Sequence, residues 1–220
     1  MLFNFDVFLS SFEFVLQGLS VTLSYTILAL TCGLPLGVVL AILKLRSKGF
    51  LFHFAQGYTS IFRGTPLLVQ LGLFYFATPQ LTGIHLSAFQ AGILTFSLNS
   101  AAYVSEIFRS GIQSIDKSQT ESAQVLGLTK FQVYIHIIFP QTIRKTLPSL
   151  LNEMIDLLKE TALVSTIGEM DIMFRARQVA TEKFLYFEPY LLAALFYYVL
   201  VFIISSLGSF VERKMQYVAH

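Results

Sequence analysis

Residues 152–161 read NEMIDLLKET, which sets three carboxylates, Glu153, Asp156 and Glu160, into a stretch bordered by apolar chain. At 100° per residue, Glu160 falls about 20° from Glu153 around a helix axis and Asp156 about 60° from it. The three therefore share one face across about two turns. Lys159 stands to the side, within reach of Asp156 and Asn152. Such a face has three uses. It could bind a cation, for example an α-ammonium or a basic side chain. It could supply an acid–base pair. It could also pair off internally and bury at a subunit interface. One pairing with Lys159 leaves a net negative face, which suits a cationic ligand. The acid–base reading needs a nucleophile or metal ligands at the same depth, yet no His lies in the stretch, and His53, His85, His136 and His220 are scattered without ligand spacing. No catalytic residue and no metal ligand is assigned. The binding and the interface readings both stay open, with Glu153 and Glu160 the first candidates for binding and Asp156 next.

The elements that must hold this face are membrane spans. The 220-residue chain is 55% hydrophobic and only 13% charged, where soluble domains carry about 25% charge. No charged residue lies between Glu13 and Lys44, between Arg63 and Glu106, or between Glu188 and Glu212. A spanning helix needs roughly 20 mostly apolar residues. The middle gap holds two spans, parted by the turn-rich TPQLTGIH of 78–85. The expected fold class is an all-α integral membrane protein with five transmembrane helices near 19–43, 56–78, 86–109, 147–169 and 189–211. Residues 1–18, acidic and without Lys or Arg, read as an interfacial segment rather than a signal peptide. Basic residues favour cytoplasmic loops. Lys44, Arg46 and Lys48, then Lys117, Lys130, Arg144 and Lys145, then Arg213 and Lys214, put the N-terminus outside and the C-terminus in the cytoplasm. The loop 170–188, with Arg175, Arg177 and Lys183 beside Glu169, Asp171, Glu182 and Glu188, is the vote against. A net charge of +2 gives no case for nucleic acid, and Cys32 alone makes no disulfide framework.

That orientation puts ESAQVLGLTKFQVYIHIIFPQ (121–141) in the cytoplasm. Ser118 caps a helix there with Glu121 reaching back to it, and Gly127 ends it. Thr129 with Gln132 repeats the signal, opening a second short helix that is expected to stop at Pro140. A helix of about eight residues is only about 12 Å long and marginal alone. It is either a hairpin packed on its own span ends or a docking element for a cytoplasmic partner.

Glu121-Ser122-Ala123, then Gly127, Ile137 and Phe139-Pro140 resemble the EAA signature of ATP-binding-cassette importer permeases, departing from it at Ser122 and Phe139. FRGTPLLVQL (62–71), NSAAYVSEIFRSGIQSI (99–115), NEMIDLLKETALVSTIG (152–168) and FEPYLLAALFYYVL (187–200) resemble blocks of the polar amino-acid uptake subfamily, in order along most of 18–212. The resemblance implies a type I importer domain over 19–215, with two permeases (a second copy or a paralogue), two separate ATPase subunits and an extracytoplasmic solute-binding protein. It implies that 118–141 forms a coupling helix whose Glu121, Ser122, Ala123 and Gly127 dock on the ATPase. It also implies a substrate site in the membrane subunits. No G-x-x-x-x-G-K-[ST] cradle occurs in the chain, so ATP and Mg2+ are expected in the partner, and no cofactor in this chain.

Gln70, Asn99, Ser100, Tyr103 and Ser105 are polar residues near span centres. They line a pore or bond helix to helix, and Asn99 and Tyr103 join the substrate-site candidates. Arg63 binds lipid phosphate or shapes an inner gate, and Glu106 with Arg109 makes an intrahelical pair or a gate. The expected function is a permease for polar L-amino acids, cationic ones such as arginine among them. The alternatives are a same-fold permease for another small solute, and an ATP-independent channel or secondary transporter.

Overall fold

A computed structural model of the chain describes residues 3–45 and 48–217, the side chains of 215–217 excepted. Arg46 and His220, and the first two residues of the segment 1–18, lie outside the described residues. Every regular element described is helical. Helix α1 (Phe5–Leu16) leads into α2 (Leu19–Lys44), an apolar helix of 26 residues, about 39 Å long. Helix α6 (Ala88–Gln113) has the same length and packs parallel to α2 along most of it, from Tyr25 against Gly92 to Lys44 against Glu106. Their backbones come close because Gly37 has no side chain. A Cβ there would fall 2.6 Å from the Val104 side chain and 2.9 Å from the Ala101 carbonyl. Small residues at the crossing are how helices pack where lipid supplies no hydrophobic drive.

The stretch expected as a single second span is not one helix. Helix α3 (Phe50–Gly64) stops at Thr65–Pro66, α4 (Leu67–Gly72) restarts the chain, and a π-helical turn (Leu73–Ala77) leads to α5 (Thr78–Thr82). Pro66 removes a donor and disfavours helical backbone at Thr65, so the break falls there. Beyond α6 come α7 (Lys117–Val125) and α8 (Lys130–Val133), then a second π-helical turn (Tyr134–Ile138) and α9 (Phe139–Glu160). Pro140 does not end the second short helix as expected. It sits in the first turn of α9, and the widened turn before it avoids the clash a proline makes with the carbonyl four residues back. Helix α9 tightens to a 3-10 turn at Thr161–Ile167, and α10 (Ile172–Lys183) and α11 (Phe187–Tyr217) close the chain.

Tyr25, Ala29, Leu71, Phe96, Leu157 and Val164 form the main apolar core where α2, α4, α6, α9 and the 3-10 turn meet. Helix α11 buries Leu192 and Ala193 and exposes Leu195, Tyr198, Val199, Phe202, Ile203, Leu207 and Phe210 as one stripe. In water such a stripe would be an aggregation hazard, whereas it suits a lipid boundary. Helix α11 and the run from α1 through α2 are each long and apolar enough to cross a membrane. Helices α6 and α9 reach the length only with polar residues in them, which helices in lipid turn toward a cavity or a neighbour.

Candidate functional site

Helix α9 and the turn after it carry Glu153, Asp156, Leu157, Lys159, Glu160, Ala162 and Leu163 along one side of a cavity of about 450 Å3, and α6 supplies Asn99 and Tyr103 on the other. All five residues expected at a substrate site thus line one cavity. The walls differ in stiffness. Asn99 is buried, and its amide donates to Gln70 Oε1 at 3.0 Å and to the Phe62 carbonyl at 3.1 Å. Gln70 in turn donates to the Phe62 and Thr65 carbonyls at 2.8 and 3.1 Å, using the carbonyls freed by the break at Pro66. Gln70 is therefore a brace for the cavity wall and does not line it. Across the cavity, Lys159 pairs with Asp156 at 2.6 Å, both of them more than half exposed. Among the described residues, Glu153 and Glu160 have no ion-pair partner. Ser100 and Ser105 are buried and do not line the cavity.

A second polar group lies one turn further along α6. Glu106 does pair with Arg109, at 2.7 Å, as its spacing suggests. The sequence reading missed that Lys44, at the end of α2, reaches the other oxygen of Glu106 at 2.5 Å and also donates to the Thr59 hydroxyl. Its side chain is 4% exposed. The only signal was a lysine ending an otherwise apolar run. Arg63 comes to 4.0 Å from Glu106 and lays its guanidinium over the Tyr103 ring, 5.2 Å from the centroid.

The hairpin α7–α8 forms a third site. Its helix starts two residues earlier than expected. Asp116, not Ser118, is the cap, accepting from the Ser118 N–H at 2.9 Å, and no Glu121 capping box forms. That bond holds the Asp116 carboxyl below the usual carboxylate range. Gly127 adopts φ +83°, and Gly127 N–H to Gln124 O and Leu128 N–H to Ala123 O close the helix end at 3.0 and 3.1 Å. The Thr129–Gln132 capping box is present. Of the four docking candidates, Glu121, Ser122 and Gly127 are exposed, while Ala123 packs inward against Ile115, Val133 and Ile138. Val125 and Leu126 were not singled out, yet they stand 87% and 81% exposed. An apolar pair ahead of the glycine in a polar helix was the available sign. Gln141 donates to Gln119 at 2.6 Å, tying the hairpin to α9, and Lys145 donates to the Ser114 carbonyl at 2.9 Å, tying α9 to the end of α6.

Comparison with known proteins gives this arrangement relatives. Residues 33–217 match the family model described as the binding-protein-dependent transport system inner membrane component. A Rickettsia typhi protein provisionally named a glutamine transport system permease is 50% identical over 202 residues, covering 92% of this chain and 93% of its own. The arginine transport system permease protein of Bacillus subtilis is 42% identical over 213 residues, 97% of either chain. A crystal structure of an amino acid ABC transporter with histidines superposes with a TM-score of 0.91 at 40% identity, covering 97% of this chain and 100% of that one.

Proposed function

The chain belongs to the inner membrane components of binding-protein-dependent transport systems and is a permease subunit, not itself an enzyme; from that premise we propose that it carries polar amino acids into the cytoplasm through the cavity between α6 and α9. The observation that carries the reading is the charge excess there. Three carboxylates face one lysine, and that lysine is already engaged with Asp156. Glu153 and Glu160 take the substrate's ammonium or basic side chain, Asp156 and Lys159 set the field around it, and Asn99 and Tyr103 form the opposite wall. Arginine and glutamine are the first substrates to try, since relatives at 42% and 50% identity carry those names. The basic residues orient the chain with the N-terminus outside and the hairpin in the cytoplasm. There Glu121, Ser122, Val125, Leu126 and Gly127 meet one of two ATPase subunits, which hold ATP and Mg2+. Ala123 keeps the hairpin packed. A second permease, identical or related, completes the pathway, and an extracytoplasmic binding protein delivers the solute. ATP binding draws the two hairpins together and switches the cavity's access.

The test is uptake of radiolabelled arginine, glutamine, histidine and glutamate by the complex reconstituted with its ATPase and binding protein, for wild type and Glu160→Gln. Loss of cationic amino-acid uptake with ATP hydrolysis intact supports the cavity. Unchanged uptake of every solute would make the carboxylates structural.

A further inference from the structure

Next to the acidic cavity lies its opposite. Lys44, Arg63 and Arg109 all converge on Glu106, so three cations share one carboxylate. Both oxygens of Glu106 are already used. Lys44 takes Oε1 at 2.5 Å, and Arg109 takes Oε2 through two nitrogens at 2.7 and 2.9 Å. Arg63, at 4.0 Å, gets no oxygen to itself and makes no hydrogen bond among the described residues, and its side chain stays 44% exposed. It rests instead on Tyr103, which is itself a wall of the acidic cavity. Below it a second cavity, of about 410 Å3, is lined by Lys44, Phe52, Gln56, Glu106, Arg109 and Gln113.

The two cavities lie along one stripe of α6. Taking Asn99 as origin, Tyr103, Glu106 and Gln113 fall about 40°, −20° and −40° around the axis. A solute leaving the first cavity along that stripe meets Arg63 next. The acidic cavity has surplus carboxylates and the Arg63 cluster has surplus cations. A free amino acid carries ammonium and carboxylate on one carbon, and a basic one adds a second cation at the end of its side chain. The two excesses therefore match the two ends of one solute.

We propose that Arg63, backed by Lys44, Glu106 and Arg109, is a carboxylate station on the solute path, which takes the α-carboxylate of an amino acid whose cationic end lies among Glu153, Asp156 and Glu160. This rests on the amino-acid reading of the cavity given above. The guanidinium is suited to the task, because its fork binds a carboxylate through two parallel N–H bonds. Glu106 has its own role. It holds Lys44 and Arg109 in place through its two oxygens, so that of the three cations only Arg63 has its whole fork free. The station makes the path selective for amino acids over plain amines of the same size and charge at the far end.

The test is equilibrium binding to the permease–ATPase complex in lipid nanodiscs, without nucleotide and without binding protein. The probes are L-arginine against agmatine, which is arginine without its carboxylate, and L-glutamine against 4-aminobutanamide, its counterpart. The amino acid is expected to bind wild type at least about 10-fold more tightly than its decarboxylated partner, about 1.4 kcal/mol. Arg63→Gln is expected to bring the amino acid down to the level of the amine while the amine's own affinity holds. Arg63→Lys, which keeps the charge and loses the fork, is expected to restore part of the ratio, and it carries the test alone should the glutamine variant fail to assemble. An unchanged ratio in the variants, an equal loss for both ligands, or no preference in wild type overturns the station while leaving the cavity standing. Failure of wild type to bind either amino acid overturns the amino-acid cavity, and the station with it.

Discussion

Glu106 and Glu153 lie in neighbouring helices of one bundle and are held in opposite ways. Glu106 is clamped from α2 by Lys44 and from its own helix by Arg109, with both oxygens engaged. Glu153 is half-buried on the cavity wall, and neither it nor Glu160 has a cation within 4.0 Å among the described residues. A carboxylate at membrane depth is costly unless something answers its charge. Where the chain answers it, the group fastens helices together. Where the chain leaves it open, as at Glu153 and Glu160, the proposed reading gives the group to a ligand. The same distinction covers apolar side chains: Ala123 is packed away inside the hairpin, and Val125 and Leu126 beside it are left bare.

The largest effect should come from opening the clamp. Glu106→Gln strands Lys44, whose side chain is 4% exposed, and breaking a buried pair from one side costs about 3 kcal/mol or more. Since Glu106 itself is part-exposed, about 2–3 kcal/mol is expected, read as a lowered unfolding midpoint in detergent. A midpoint equal to wild type would erase the contrast. Next come Glu153→Gln and Glu160→Gln, for which the contrast demands the reverse pattern: stability within about 0.5 kcal/mol and uptake reduced about 10-fold, about 1.4 kcal/mol in the rate. If either variant melts like Glu106→Gln, the cavity carboxylates are fasteners too. Third, Leu126→Asp should leave the permease folded, because the side chain touches little of its own chain, yet weaken recovery of the ATPase on affinity purification several-fold. Full recovery with normal transport would remove the hairpin's docking role. Gly127→Leu asks the same question less cleanly, since φ +83° adds strain of about 1–2 kcal/mol.

The smallest effect concerns Asp171, a carboxylate buried outside the spans. It accepts from the Phe174 N–H at 2.8 Å and from the Tyr197 hydroxyl at 3.1 Å. Burial outweighs these bonds and pushes its carboxyl up to about 6. Its protonated form is thus the one favoured by folding, so its contribution is present below the ordinary carboxylate range, near pH 4, and is lost as pH rises toward 6. Asp171→Asn keeps an acceptor for the helix end and should flatten that part of the profile. The difference in melting midpoint between wild type and variant, followed from pH 4 to 7, is expected to shift in favour of the variant as pH rises. A constant difference would mean that the Asp171 carboxyl titrates alike folded and unfolded.

What could be read in advance was what repeats along one helix. The shared face of Glu153, Asp156 and Glu160, and the Glu106–Arg109 pair, follow from 3.6 residues per turn, and both are seen. The Lys44–Glu106 bond joins residues 62 apart and leaves no periodic trace, so the clamp stayed hidden until the helices were packed. Gln70 was legible as a polar residue in a span, but its role depends on the carbonyls freed at Pro66. Punctuation misled twice. Pro140 reads as a stop, although a π-helical turn lets the helix pass through it, and Asp116 takes the cap expected of Ser118 because either residue can serve. The bare surface of Val125 and Leu126 is a tertiary fact, since only the packing of Ala123 decides which side of so short a helix is outward.

The tie between hairpin and helix, Gln119–Gln141, also fixes how movement is scaled. It clamps the hairpin to the first turn of α9, whose 22 residues make a rod about 33 Å long ending at Glu160. A short throw at one end of a stiff arm becomes a long one at the other. Tilting that rod by about 10° about its hairpin end would sweep Glu160 sideways by about 6 Å, given 1.5 Å of length per residue. That is enough to carry a carboxylate across the width of a small cavity.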